Sequence, residues 1–133
     1  MRLPPPARHP FLWYWSFEHS IPTALRSIKA DVFISPDGFA SLRTTVPQLL
    51  TIHDLGFEHY PEHTPFLVHS YYQHFTPKYC QKASKILSVS AFTRQDIIER
   101  YKINAEKIEV VYNGCSPIVP PATANKMQVP YFI

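Results

Sequence analysis

Apolar and polar positions follow two different periods along this chain. Short runs of near-continuous apolar residues recur at Asp31-Val-Phe-Ile-Ser35, Gln48-Leu-Leu-Thr-Ile52, Lys85-Ile-Leu-Ser-Val-Ser90 and Ile108-Glu-Val-Val-Tyr112. Each is bounded by turn-forming residues, so each predicts a strand. The segments between them have helical spacing. From Pro65 to about Lys82, Leu67, Tyr71, Phe75 and Tyr79 fall on one face, with Val68 and Tyr72 beside them. Thr64-Pro65 reads as a capping hydroxyl before a proline at the first helical position, and Pro77 predicts a bend. Ala91 to about Tyr101 reads as a second helix, capped by Ser90, with Phe92, Ile97 and Ile98 turned inward. Ahead of the first strand, Phe11 to Ala30 reads as a helix that Pro22 should kink near Ser20–Ile21. Asn104–Lys107 reads as a short turn.

The order is therefore β, β, α, β, α, β after an N-terminal helix. Strands that are apolar throughout belong to parallel sheets covered by helices. The expected fold class is α/β, a partial Rossmann-like parallel sheet with flanking helices. No internal repeat is visible. Ser116–Gln128 carries prolines and small residues and reads as a linker. Val129–Ile133 reads as the start of a further strand. The expected division is residues 1–115 as a partial N-terminal domain, 116–128 as a linker and 129–133 as the beginning of a second domain.

Composition narrows the possible partners. The 133 residues suffice for one domain with a core, and 45% hydrophobic against 17% charged residues is a globular balance. Fourteen prolines against three glycines leave few flexible loops of the kind that cradle phosphates. Net charge is +3 and the pI about 8.9, but no dense Lys/Arg run exists, so nucleic acid is not an expected partner. Attraction to anionic substrates or to an anionic membrane surface stays open. The aromatic face Phe11, Trp13, Tyr14, Trp15 and Phe17 is read as core and interdomain packing, ahead of peripheral membrane contact. No apolar run reaches the length of a membrane span, and the first twenty residues do not resemble a signal peptide. Cys80 and Cys115, with no CxxC, point to a reduced, cytoplasmic setting.

Candidate chemistry follows from the topology. In an open parallel sheet, ligands bind outside the carboxyl ends of the strands. Those ends carry Asp37-Gly38, His53-Asp54, Ser90 and Asn113-Gly114. Ordinary turn chemistry accounts for Ser90 and Asn113-Gly114. It accounts less well for His53, directly after Leu-Leu-Thr-Ile. A histidine there can exchange a proton near neutrality, or hydrogen-bond a hydroxyl without titrating. Adjacent strand residues point to opposite faces, so His53 and Asp54 are not expected to form a tight dyad. No metal site is expected: Pro61 separates His59 from His63, His69 and His74 diverge around a helix, and no HExxH or cysteine cluster occurs. The absence of GxGxxG and of a P-loop argues against a dinucleotide or P-loop nucleotide site. Cys80 is read as a buried small hydrophobe and Cys115 as a linker residue, neither as a nucleophile. Arg94, Arg100, Lys102 and Lys107 are read as a solvated helix face in preference to an anion site.

Four stretches together carry a more specific likeness. DVFISPDGF (31–39), VPQLLTIHDLGFEHYPE (46–62), KASKILSVSAFTRQDIIERY (82–101) and KIEVVYNG (107–114) resemble, in order and spacing, glycosyltransferase family 4, a group of GT-B fold. The resemblance covers roughly residues 5–133. It implies two Rossmann-like domains facing across a cleft, the first shaping the acceptor side and the second binding a nucleotide-sugar. Transfer in the family usually retains anomeric configuration and needs no metal or other cofactor. His53 matches the family histidine that contacts the transferred sugar near the reaction centre. Asp54 matches a residue of the same loop, and Ser90 the serine lining the cleft; Asp37 and Gly38 are further candidate substrate contacts. Asn113-Gly114 matches the crossing into the second domain. The family's first strand, glycine-rich loop and paired-glutamate donor motif have no counterpart here, so the chain reads as a fragment, expected to be inactive alone. The implied activity is transfer of a hexosyl group, with mannosyl the leading candidate, to a glycan or lipid-linked acceptor in envelope polysaccharide synthesis, at the inner face of the membrane. The alternative is a noncatalytic binding or docking module, or gene remnant, derived from such a fold. A flavodoxin-like signalling domain is disfavoured by the lack of a clustered acidic pocket.

Overall fold

The computed structural model describes residues 9–114. The linker and following strand expected at 116–133, and Cys115, lie outside these residues. The described residues open with helix α1 (Pro10–Trp15), a π-helical turn (Ser16–Ser20) and helix α2 (Ile21–Ser27). Strands β1 (Phe33–Ser35) and β2 (Gln48–Ile52) follow, then the short helix α3 (Gly56–His59) and a 3-10 turn at Pro61–His63. Helix α4 (Phe66–Lys82), strand β3 (Lys85–Ser88), helix α5 (Ala91–Tyr101), a 3-10 turn (Ala105–Lys107) and strand β4 (Ile108–Val110) complete it.

The four strands form one parallel sheet in the order β1-β2-β3-β4. The register aligns Ser35, Leu50, Ile86 and Ile108 in a single row across it. All four are buried. Chain order and sheet order coincide, so right-handed crossovers place α4 and α5 on the same face. That face carries Leu50, Ile52, Ile86 and Ile108 and closes over Tyr79, Cys80 and Ile97. Burial on both faces, implied by strands that are apolar throughout, does not hold among the described residues. Ile34 on the other face is 58% exposed, and Leu49, Thr51 and Leu87 are only half-buried. An apolar strand sequence therefore permitted two covered faces without requiring them.

The N-terminal helices attach to this layer through aromatic contacts. Trp13 meets Phe39, Tyr71 and Tyr72 with ring centroids 5.4, 5.5 and 6.0 Å away, and Phe17 stacks on Phe39 at 5.2 Å. The same helix leaves Phe11 75% exposed and Trp15 exposed as well, so its aromatic residues divide between core and solvent. The disturbance expected from Pro22 near Ser20–Ile21 takes the form of a π-turn at Ser16–Ser20. Proline cannot donate a backbone hydrogen bond and crowds the preceding turn. Widening that turn relieves both problems, and the N–H of Ile21 bonds the Ser16 carbonyl five residues back. Within the widened turn lies buried Glu18, whose Oε1 accepts the Leu42 N–H at 2.9 Å.

Several local expectations are corrected. Pro65, not Thr64, caps α4: Thr64 makes no side-chain cap, and Pro65 is extended with ψ 138°. Leu67 is 56% exposed because α4 turns Tyr71, Thr76, Tyr79 and Cys80 inward. Phe92 is 72% exposed, while Thr93, Asp96 and Ile97 form the buried side of α5. Ser90 caps α5 as expected, accepting the Thr93 N–H at 3.0 Å. Asn104 similarly accepts the Glu106 N–H at 3.0 Å. Burial pushes the Cys80 thiol up to about 12, which agrees with an inert core residue. It also pushes Tyr71 up to about 12, and the Tyr71 and Tyr79 hydroxyls pair at 2.6 Å.

Leu50→Ala removes a wholly buried side chain from the central row and should cost about 2–5 kcal/mol of unfolding free energy. Ile34→Ala, on the open face, should cost less than about 1 kcal/mol. Urea unfolding of the two variants checks the difference; equal losses would contradict the one-sided core.

Candidate functional site

Parallel pairing brings the ends of β1 and β2 to the same edge. Beyond β1, the chain turns through Pro36-Asp37-Gly38. Gly38 has φ +77°, a left-handed conformation costly for side-chain-bearing residues. The loop that follows is anchored by buried Gln48, which accepts from the Ser41 N–H at 2.8 Å and donates to the Ser41 carbonyl at 2.7 Å. Beyond β2 come His53 and Asp54. Asp54 Oδ1 accepts the Gly56 N–H at 2.8 Å, an Asx-type turn that starts α3. A Cβ at position 56 would come within 3.1 Å of that same oxygen, so glycine keeps the turn tight.

These two exits enclose a cleft of about 220 Å³. Asp37, Gly38, His53 and Asp54, all expected from the sequence, line it together. Ile52, Phe57, Tyr72 and Thr76 complete the lining and were not anticipated as site residues. Phe57 and Tyr72 pack at 5.1 Å between centroids and form an aromatic wall. Burial first, and the Asp54 charge second, raise the pKa of Tyr72, so its hydroxyl keeps its proton at neutral pH.

The histidine is held in a defined state. His53 Nε2 lies 2.7 Å from the Pro36 carbonyl oxygen. A carbonyl only accepts, so Nε2 carries the proton and donates it. In the neutral ring Nδ1 then keeps its lone pair and can accept a hydrogen bond. His53 and Asp54 make no bond to one another, as their strand positions predicted. The backbone is fixed as well. Thr93 donates its hydroxyl proton to the His53 carbonyl at 3.1 Å, which leaves Ser90 Oγ to donate to Thr93 Oγ1 at 2.9 Å. Ser90 thus supports the site through Thr93 and does not line the cleft. Asn113 and Gly114 are exposed beyond β4, also outside the lining, and a Cβ at Gly114 would meet nothing.

A second polar cluster ties α3 to α5. His59 Nε2 lies 2.6 Å from Asp96 Oδ2, and Arg100 donates to His59 Nδ1 at 3.0 Å and to Asp96 Oδ1 at 2.7 Å. The neutral imidazole therefore donates through Nε2 and accepts through Nδ1. Tyr101 donates to Glu58 at 2.9 Å beside it. The basic residues around α5 are engaged elsewhere too: Arg94 bonds the carbonyls of Ala105 and Ile108, and Lys107 that of Gln81. Arg100 shares in an acidic cluster. These contacts give Arg94, Arg100 and Lys107 structural partners in place of an anion site. Among the described residues, no group of three or more His, Cys, Asp or Glu side chains is placed to hold a metal, and no helix is long and apolar enough to cross a membrane.

A family model for Glycosyltransferase Family 4 matches residues 1–117. The chain belongs to glycosyltransferase family 4. The match spans every described strand and all three parallel connections, and it contains the whole cleft. No curated protein and no solved structure matches significantly.

His59→Ala severs one of the ties that hold α3 against α5. It should cost about 1 kcal/mol and speed amide exchange across Gly56–His59, leaving β3 unchanged. Unaltered exchange in α3 would contradict this clamp.

Proposed function

We propose that the cleft is the sugar-facing side of a transferase site, and that the intact enzyme moves a hexosyl group from a nucleotide-sugar to a glycan or lipid-linked acceptor. The carrying observation is the meeting of Asp37, Gly38, His53 and Asp54 around one small cleft, with His53 Nδ1 left as an open acceptor. The family match supports the reaction class. The cleft lining has no lysine or arginine, so the nucleotide diphosphate is assigned to a second, donor-binding unit following Asn113-Gly114. Gly114 has open space around it and suits a crossing point between two units.

In this proposal His53 Nδ1 accepts a hydroxyl proton in a hydrogen bond from the transferred sugar, beside the bond being broken. The Pro36 carbonyl orients the ring by holding its Nε2 proton, and Thr93 steadies the backbone beneath it. Orientation of this kind acts by limiting the geometries the reactants can adopt. Transfer proceeds with retention, and the proposal requires no metal.

His53→Ala, made in the intact enzyme, should lower sugar transfer by roughly 10²-fold or more with nucleotide binding by calorimetry unchanged. Full turnover in that variant would remove His53 from the reaction. Parallel loss of nucleotide binding would move its role to the donor.

A further inference from the structure

Glu18 is a buried carboxyl group that the chemistry of the cleft leaves unused. It lies in the π-turn and is 2% exposed. Its Oε1 accepts the Leu42 N–H at 2.9 Å, and its Oε2 has no hydrogen-bond partner among the described residues. Burial chiefly raises the pKa values of Tyr71 and Tyr79, and the Glu18 charge adds to both, so the carboxyl group sits near their hydroxyl pair without bonding it. A buried oxygen without a donor costs stability. What Glu18 contributes therefore lies in what Oε1 holds.

Oε1 holds the loop that carries Asp37 and Gly38 to the cleft. Successive residues of the π-turn grip this loop. Phe17 stacks on Phe39 at 5.2 Å, Glu18 takes the Leu42 N–H, and the His19 ring lies 3.2 Å from the Arg43 guanidinium. A π-turn has more residues per turn than an α-helix, so successive side chains diverge less and can serve one face. From the sheet, buried Gln48 grips Ser41, the neighbour of Leu42. The loop is thus pinned at Ser41 by a strand and at Leu42 by the π-turn. Asp37 and Gly38 stand between these pins and the end of β1 at Ser35.

We infer that Glu18 is a positioning residue, whose bond to Leu42 fixes where Asp37 and Gly38 stand against His53 across the cleft. Its consequence for catalysis rests on the sugar-transfer reading; its effect on the loop does not. Glu18 touches no lining residue and acts only through the backbone it holds. Placement at this level matters because a shift of about 1 Å in a reacting site can cost on the order of 10²-fold in rate.

Two variants separate positioning from stability. Glu18→Gln keeps an Oε1 to accept the Leu42 N–H. Glu18→Met keeps an unbranched side chain that fills the space and removes both oxygens. Amide exchange and amide shifts are read by NMR in the 133-residue chain, and kcat and KM in the intact enzyme. In the wild type the Leu42 amide should be protected. In the methionine variant it should exchange at least about tenfold faster, with protection in β2 and β3 kept. The Asp37, Gly38 and His53 amide signals should move with it. In the intact enzyme kcat should fall by about tenfold or more, with KM for the nucleotide-sugar within about twofold of wild type. The glutamine variant should keep Leu42 protected and kcat within about threefold of wild type.

A rapidly exchanging Leu42 amide in the wild type would overturn the inference with no variant needed. Unmoved Gly38 and His53 amides in the methionine variant, wild-type kcat in that variant, or a glutamine variant as impaired as the methionine one would each overturn it as well. A methionine variant that does not fold leaves the wild-type Leu42 exchange and the glutamine variant to decide. Full transfer by His53→Ala would sink the assigned role of His53 and leave the loop measurements as they are.

Discussion

The site depends on one hydrogen bond across two neighbouring strand exits. His53, just beyond β2, donates through Nε2 to the carbonyl of Pro36, just beyond β1, at 2.7 Å. Parallel pairing makes the bond possible, because it carries both carboxyl ends to the same edge. The register that pairs Ser35 with Leu50 sets the distance between the exits. Gly38 allows the first exit to turn in a left-handed conformation, and the Asp54–Gly56 turn sends the second into α3. The bond also fixes the tautomer, and the tautomer leaves a lone pair at Nδ1. Backbone topology is thus translated into the chemical state of one imidazole.

The row Ser35, Leu50, Ile86 and Ile108 supplies the rigidity beneath that edge. Packing is concentrated on one face, where α4 and α5 cover β2, β3 and β4. Thr93 connects this layer to the site, since one side of α5 is buried and the hydroxyl at its first turn reaches the His53 carbonyl. Trp13 and its aromatic neighbours serve the same end through α4. They pack on Tyr72, which lines the cleft.

Much of this was legible in the sequence, for identifiable reasons. β2 was expected at Gln48–Ile52 and is found there, because an apolar run closed by a polar pair has little freedom in its bounds. His53, Asp54, Asp37 and Gly38 were legible because strand ends in a parallel sheet converge by topology alone. Ser90 was legible as a helix cap, but its relation to His53 runs through Thr93, forty residues along the chain from that carbonyl. Phe57, Tyr72 and Thr76 were not legible as site residues. They lie on α3 and α4, and the face a helix turns to a cleft depends on packing from elsewhere. The exposed Phe92 and Leu67 illustrate the same limit: apolar identity was taken for burial, while Thr93, Asp96 and Thr76 took inward positions. The His59–Asp96–Arg100 cluster joins residues 37 and 41 positions apart and carries no local signal. Pro22 signalled a disturbance near Ser20–Ile21 correctly, but not that it would be a widened π-turn.

Strand-end geometry holds the neutral His53 ring as the Nε2-protonated tautomer with Nδ1 open. Nitrogen-15 NMR of the imidazole ring tests it directly, since protonated and bare ring nitrogens resonate far apart. Near pH 8, His53 is expected to show a protonated Nε2 and a bare Nδ1, with the Nδ1 signal moving when a hexoside is added. A protonated Nδ1, or a bare Nδ1 that ignores the sugar, would contradict it.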